Sequence, residues 1–397
     1  MTVSLDKILE KALHEKPLSR DEVLHLLRVE GEGDQARLFE VARTLRDRYF
    51  GNKIYLYGFI YFSTWCRNSC SFCYYRTSNT LCDRYRKTDA QIIDAAARLA
   101  ESGIHLLDLT MGEDPFYFGQ REGFEPLLRL VREIKTRTGL PLMISWGVVP
   151  DEVVKSLPEA GADWLACYQE THNRALFRRL RLHQDYEARL EVKEKAKLSG
   201  LLIEEGILSG SGETLEDVAD SIEMMKQMKA HQVRVMNFVP QKGTPMGALP
   251  PPPLTRENVV LSVLRLVLPH RLIPASLDVY GIEGLRGKLQ AGANVVTSLV
   301  PPFSALRGVA QSHLGIDEGH RTSRAVIPIL EELGLREGTH EEYTAWVKKE
   351  KKSLSRKAFW NNEAPAVPPK RDRVSWRRRM NPDEGRSLQD RYFDREC

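Results

Sequence analysis

The sequence predicts an α/β protein: a (β/α)8 barrel of the TIM type, with an N-terminal helical segment and a poorly ordered basic C-terminal tail. Three observations carry that prediction. Short, near-continuously apolar runs recur at 55–63, 104–110, 142–146, 164–168, 202–208, 233–239, 272–277 and 294–299, as parallel strands buried on both faces require. Longer amphipathic stretches alternate with them. Eight such units over about 250 residues match the size of the barrel.

The elements follow in order. Residues 1–50 read as a helical segment packed on the barrel, 51–350 as the barrel and 351–397 as a loosely ordered extension. In the first strand Tyr55, Tyr57, Phe59 and Tyr61 alternate and read as core. Thr88 with Gln91 forms a capping box ahead of an apolar stripe at Ile92, Ile93, Ala96 and Leu99, and Gly103 stands where that helix must end. Thr214 with Asp217 repeats the signal, and Pro150 opens another helix. Four consecutive prolines at 250–253 make a stiff lead into the helix that follows.

Composition narrows the function. With 397 residues and 42% hydrophobic content the chain can bury a sizeable core. No uninterrupted apolar stretch reaches the roughly 18 residues that a membrane span needs. The start, MTVSLDKILEKALHEK, carries acidic residues and no apolar h-region, so it is not read as a secretory signal. The expected location is the cytoplasm, where clustered cysteines serve as ligands rather than disulfides. The net charge of +4 belongs to the tail: from Ser353 onward eleven Lys/Arg face seven Asp/Glu, and residues 1–352 sum to zero. A neutral body with a tail poor in stacking aromatics gives no reason to expect a nucleic-acid or membrane partner.

In such a barrel the chemistry sits at the C-terminal ends of the strands. The polar residues there converge: Asp108, Glu113 and Asp114 after strand two, Ser145 and Gly147 after strand three, and Tyr168-Gln169-Glu170 after strand four. The segment 206–212, Arg234, the pair Ser276 and Asp278, and Asn294 with Thr297 complete the ring. By strand parity Ser276 and Asp278 share one face, as do Arg234, Met236 and Phe238. Charged residues so placed either form a structural ion network across the barrel or line a polar site.

Strand one leads into FSTWCRNSCSFCYY, in which Cys66, Cys70 and Cys73 bring three of the chain's six cysteines within eight residues. Structural zinc closes a tetrahedron with four ligands, and no histidine stands near, so a zinc reading needs a remote fourth group. A [4Fe-4S] cluster held by three thiolates instead leaves one iron open to bind a substrate.

The spacing Cys66-x3-Cys70-x2-Cys73, with Phe72 before the last cysteine, resembles the signature of the radical S-adenosylmethionine (SAM) superfamily. Met111-Gly112-Glu113 resembles its motif at the SAM amino group, and Glu170 the acidic residue at the ribose. Arg189, nineteen residues further on, is similar to the arginine that meets the SAM carboxylate in biotin-synthase-like and hydrogenase-maturase-like members. Residues 206–210 resemble the glycine-bearing segment near the adenine, and Ser145 joins Gly112, Glu113, Glu170 and Arg189 as an expected SAM-binding residue.

The stretches YFGNKIYLYGFIYFSTWCRNSCSFCYY, LLDLTMGEDPFYF, YQETHNRALFRRLR, VRVMNFVPQKGTP, RLIPASLDVYGIEG and AGANVVTSLVPP extend the resemblance over roughly residues 5–350. They resemble a carbon-skeleton mutase of the biotin-synthase-like branch that acts on L-lysine. The resemblance implies one [4Fe-4S] cluster on Cys66, Cys70 and Cys73, with SAM as cosubstrate. It implies hydrogen abstraction by a 5′-deoxyadenosyl radical, then fragmentation and recombination of the substrate. Asp108, Arg234, Ser276 and Asp278 are the implied substrate contacts. Their charges suit lysine: a guanidinium for its carboxylate, carboxylates and a hydroxyl for its ammonium groups. No catalytic residue is expected beyond the cluster and SAM. A low-potential donor such as flavodoxin or ferredoxin supplies the electron, and a monomer is expected. The alternative is another enzyme of that branch, or a maturase-like one, acting on a small amino-acid-like substrate. Cys82, Cys167 and Cys397 lack the spacing for an auxiliary cluster.

Overall fold

The computed structural model describes residues 4–119, 123–310 and 321–354. Three helices lead: α1 (Leu5–Leu13), α2 (Arg20–Leu27) and α3 (Glu32–Phe50). There follow β1 (Lys53–Ser63), α4 (Asp89–Glu101), β2 (Leu106–Met111), α5 (Pro115–Phe118), α6 (Glu125–Thr138) and β3 (Leu142–Ser145). The middle of the chain forms α7 (Asp151–Ser156), β4 (Trp164–Ala166), α8 (Arg174–Leu180), α9 (Tyr186–Leu198), β5 (Leu202–Ser209), α10 (Leu215–Gln227) and β6 (Gln232–Asn237). The last third forms α11 (Leu254–Val267), β7 (Pro274–Ser276), α12 (Leu285–Gln290), β8 (Val295–Leu299), α13 (Ser323–Glu332), β9 (Arg336–Glu337) and α14 (His340–Ser353).

The strands pair in parallel in the order β6-β5-β4-β3-β2-β1-β8-β7. A parallel bridge between Gln232 and Leu272 joins the two ends and rounds the sheet into a barrel. That seam is thin. Leu272 N–H donates to His231 O at 3.2 Å and Val233 N–H to Leu272 O at 3.0 Å, and Pro274 has no N–H to extend the ladder. For the same reason β7 is three residues long where the apolar run 272–277 suggested six. The capping residues behave as their chemistry requires: Thr88 Oγ1 accepts from Gln91 N–H at 3.3 Å, while Gln91 Oε1 accepts from Thr88 N–H at 3.0 Å. Gly103, at φ +83°, takes the left-handed turn after α4.

Parity sorts the lumen. Tyr57, Leu106, Met143, Trp164, Leu202, Leu272 and Val295 fill its lower end with Phe50. α14 seals that end: Trp346 stacks on Trp164 with centroids 5.8 Å apart, and the Tyr343 and Tyr57 hydroxyls meet at 2.8 Å. Two residues further along β2, β5 and β8, and beside them on β6, the lumen turns polar, with Asp108, Glu204, Thr297 and Arg234 all buried. The leading helices lie outside the barrel, α3 against α11 and α2 against α10 and α11. Among the described residues no helix is long and apolar enough to cross a membrane. From residue 355 on, the expected basic tail lies outside the described residues.

Candidate active site

The loop after β1 carries the three cysteines and is pinned from several sides. Ser71 N–H donates to Leu180 O at 2.8 Å and Arg67 N–H to Glu113 O at 2.9 Å, and the Ser71 hydroxyl donates to Arg179 O at 2.9 Å. Gly112 ends β2 directly against this loop, where any Cβ would lie 2.3 Å from Trp65 O. Only glycine allows that approach. Cys66, Cys70 and Cys73 line one cavity of about 230 Å³ at the mouth of the barrel. Burial pushes the Cys66 thiol up to about 11; it raises Cys73 as well, with the neighbouring Cys70 and Cys66 adding to the effect. As thiolates these groups therefore need a cationic partner.

The arrangement distinguishes the possible partners. Among the described residues no three His, Cys, Asp or Glu side chains converge as a single metal ion demands. A [4Fe-4S] cluster takes each thiolate on its own iron and fits three sulfurs around one cavity. Donors already serve those sulfurs: Asn68 N–H reaches Cys66 Sγ at 3.5 Å, and Gln184 Nε2 reaches Cys70 Sγ at 3.0 Å.

The remaining walls place the other expected residues. Gly112, Glu113, Ser145, Glu170 and Arg189 all line the same cavity as the cysteines. Glu113 accepts from Arg67 Nε at 3.0 Å and from Val148 N–H at 3.1 Å, with Arg189 Nη1 3.7 Å away. Gly147, at φ +77°, makes room for that carboxylate. Glu170 itself adopts φ +66°, unusual for a side chain of its size. A bridge to Ile207 holds it there, and Arg181 Nη2 donates to its Oε1 at 2.5 Å. Cys167 also lines this cavity; Cys82 is buried, its thiol donating to Asn79 O at 3.3 Å.

Beneath lies a smaller cavity of about 50 Å³ lined by Asp108, Ser145, Tyr168, Arg234, Asp278 and Ser298, among others. Ser145 borders both spaces. Asp108, Arg234 and Asp278 are brought together there but do not pair with one another. Arg234 Nε donates to Glu204 at 2.7 Å and Nη1 to Thr297 Oγ1 at 3.1 Å. Asp278 meets Arg321 at 2.7 Å and accepts from the Ser298 hydroxyl at 2.7 Å. Ser276 sits just behind, 3.4 Å from the Ser298 hydroxyl, and accepts from Asp278 N–H at 3.3 Å. Asp108 accepts from the Ser145 and Thr110 hydroxyls at 2.7 and 2.9 Å. Among the described residues it has no salt-bridge partner. Burial, offset partly by those hydrogen bonds and reinforced by Glu204, raises it to about 7.

Sequence reasoning missed Glu204, Arg181, Gln184 and Arg321 as members of this site; Tyr168, expected at the mouth after strand four, borders both cavities. One signal was present. The doublet Glu204-Glu205 inside an apolar strand puts one carboxylate on each face. Glu204 turns inward to Arg234 and the Tyr168 hydroxyl, and Glu205 turns outward to Lys193 on α9.

A parallel eight-stranded barrel with three mouth cysteines beside such a cavity defines a radical SAM enzyme. The radical SAM superfamily pattern matches residues 60–225. Two curated 3-methylornithine synthases are 40% identical to this chain, from Methanosarcina acetivorans (86% of this chain, 97% of the relative) and Methanosarcina barkeri (86% and 96%). The crystal structure of methylornithine synthase superposes with a TM-score of 0.81 at 40% identity, covering 85% of this chain and 99% of that one. The FeFe-hydrogenase maturase subunit HydE of Thermotoga maritima is 30% identical over 73% of this chain and 82% of its own length. The chain belongs to the radical SAM superfamily and, within it, to the 3-methylornithine synthase family. As such it works with a [4Fe-4S] cluster and SAM on a small-molecule substrate.

Proposed function

We propose that the chain isomerises L-lysine to (3R)-3-methyl-D-ornithine, the first step of pyrrolysine biosynthesis. The observation that carries this reading is the charge balance of the inner cavity. Arg234 is matched by Glu204 and Asp278 by Arg321, which leaves Asp108, with Arg234 nearby but already paired, as the lining carboxylate without an ion-pair partner of its own among the described residues. The cavity thus lacks one positive charge when Asp108 ionises, and lysine carries a net charge of +1.

Cys66, Cys70 and Cys73 hold the cluster. Bound there, the cluster with SAM supplies hydrogen-atom abstraction from an unactivated carbon. Glu113 and Arg189 offer opposite charges to the zwitterionic end of SAM, Glu170 accepts from its ribose, and Gly112 with Ser145 lets it approach closely. Arg234 provides the cation for the lysine carboxylate. Asp108, Asp278 and Ser276 receive its ammonium groups, Ser276 acting through Asp278. Anchors at both ends keep two fragments in place until they rejoin, and a lumen sealed below by α14 excludes water. A flavodoxin or ferredoxin delivers the electron, in a reducing cytoplasm and to a monomeric chain.

The test is anaerobic reconstitution followed by incubation with SAM, dithionite and L-lysine. The expected result is a product of lysine's mass that separates from lysine by chromatography. Formation of 5′-deoxyadenosine with no lysine isomer overturns the substrate assignment.

A further inference from the structure

Gln184, between α8 and α9, sits where three groups of the site meet. Its Nε2 donates to Cys70 Sγ at 3.0 Å, and its Oε1 accepts from Arg181 Nη1 at 3.3 Å and Arg189 Nη1 at 3.4 Å. Arginine only donates, so the amide oxygen must face the two guanidinium groups and the amide NH2 must face the sulfur. Arg181 continues the chain of contacts in both directions. Its Nη1 lies 3.7 Å from Cys70 Sγ, and its Nη2 holds Glu170. Arg189 in turn lies beside Glu113. The Cys70 thiol is therefore wired, through one amide and two guanidinium groups, to both carboxylates that wall the larger cavity.

We infer that Gln184 and Arg181 are positioning residues that set the reduction potential of the cluster through Cys70. Through the same contacts they make that potential respond to what binds at Glu113 and Glu170. Adding an electron to a thiolate-bound cluster increases negative charge on its sulfurs, and N–H donors aimed at a sulfur stabilise that reduced form. Burial strengthens the effect, because little water competes. Any ligand that draws Glu170 or Glu113 away changes how Arg181, Arg189 and Gln184 are shared. Linkage then requires that reduction of the cluster change the affinity for that ligand by the same factor. The inference rests on a cluster at Cys66, Cys70 and Cys73 and is independent of the lysine assignment.

The test compares anaerobically reconstituted wild type, Gln184→Leu and Gln184→Glu by iron content and by redox titration followed by electron paramagnetic resonance. Titrations are run with and without SAM, and no lysine is present. The expected wild type holds about four irons. Gln184→Leu is at least tenfold harder to reduce, a shift of about 59 mV to more negative potential for a one-electron couple. Its SAM-induced change in potential is also smaller. Gln184→Glu keeps the shape, loses the donor, shifts the same way, and carries the test should the leucine variant fail to take up iron. Full iron with an unchanged potential overturns this inference alone. A wild type without a cluster overturns the cluster reading and this inference with it.

Discussion

Asp108 is the residue on which the inner cavity turns. Its carboxyl ordinarily titrates near 3.8 and is raised to about 7 by burial. The folded form thus holds a proton that the unfolded chain has lost. Its contribution to stability is complete below about pH 4, falls as pH rises, and is gone above about pH 7. Compared with Asp108→Asn, wild type should lose stability over that window, on the order of 4 kcal/mol at 1.36 kcal/mol per pH unit. Denaturant melts at intervals from about pH 4 to 8 read this; parallel curves for the two proteins refute the buried-acid assignment. Binding of an ammonium group runs the other way, since it favours the ionised form. Lysine affinity should therefore climb up to tenfold per pH unit below about 7 and level off above it, and Asp108→Asn should abolish that slope.

At the scale of elements, the barrel depends on two contacts that are far apart in sequence. α14 closes the bottom by placing Tyr343, fully buried, against Tyr57. Tyr343→Phe strips the Tyr57 hydroxyl of its partner and should cost about 1–3 kcal/mol. The double variant Tyr57→Phe/Tyr343→Phe removes both hydroxyls and should cost less than the two single changes together; additivity of the two would show that the pair is not coupled. At the other end, Gly112→Ala drives a methyl group into the Trp65 carbonyl. It should pry the cysteine loop from β2 and lower iron uptake well below wild type in a chain that is less stable but still folds, as an iron assay and a thermal melt would read. These elements differ in how plainly they were written in the chain. β1, β2 and β5 are long apolar runs whose period and composition suffice. β4 and β7 are three residues each, and their ends are decided by where a neighbour offers a ladder and by Pro274, so their outlines came out too long. The closing role of α14 leaves no local pattern, because Tyr343 and Trp346 look like any helix face until the lumen is built.

For the whole molecule the decisive property is how charge is distributed in a closed interior. The cysteines were legible because a cluster imposes a fixed spacing on one short loop. Asp108, Arg234 and Asp278 were legible as charges inside apolar strands. Their partners were not: Glu204 is 30 residues from Arg234 and Arg321 is 43 from Asp278, and a contact at such separation obeys only the three-dimensional register of the barrel. Those partners change what the cavity selects. Were the three predicted charges unpaired, they would present two anions and a cation; paired, they present two neutral couples and one titratable acid. A substrate must then exchange with both couples through its own carboxylate and ammonium while leaving one positive charge for Asp108. L-Norleucine tests this at nearly constant shape, since it keeps the α-amino acid end and lacks the side-chain ammonium. It leaves a desolvated carboxyl group without a partner, and a site built around such a bond rejects the analogue that lacks it by roughly 100-fold or more. The ratio of substrate-dependent 5′-deoxyadenosine formation, lysine against norleucine, measures it directly. In Asp108→Asn the ratio should collapse toward unity, because the amide no longer distinguishes the two; a ratio that survives that substitution would place the discriminating charge elsewhere in the lumen.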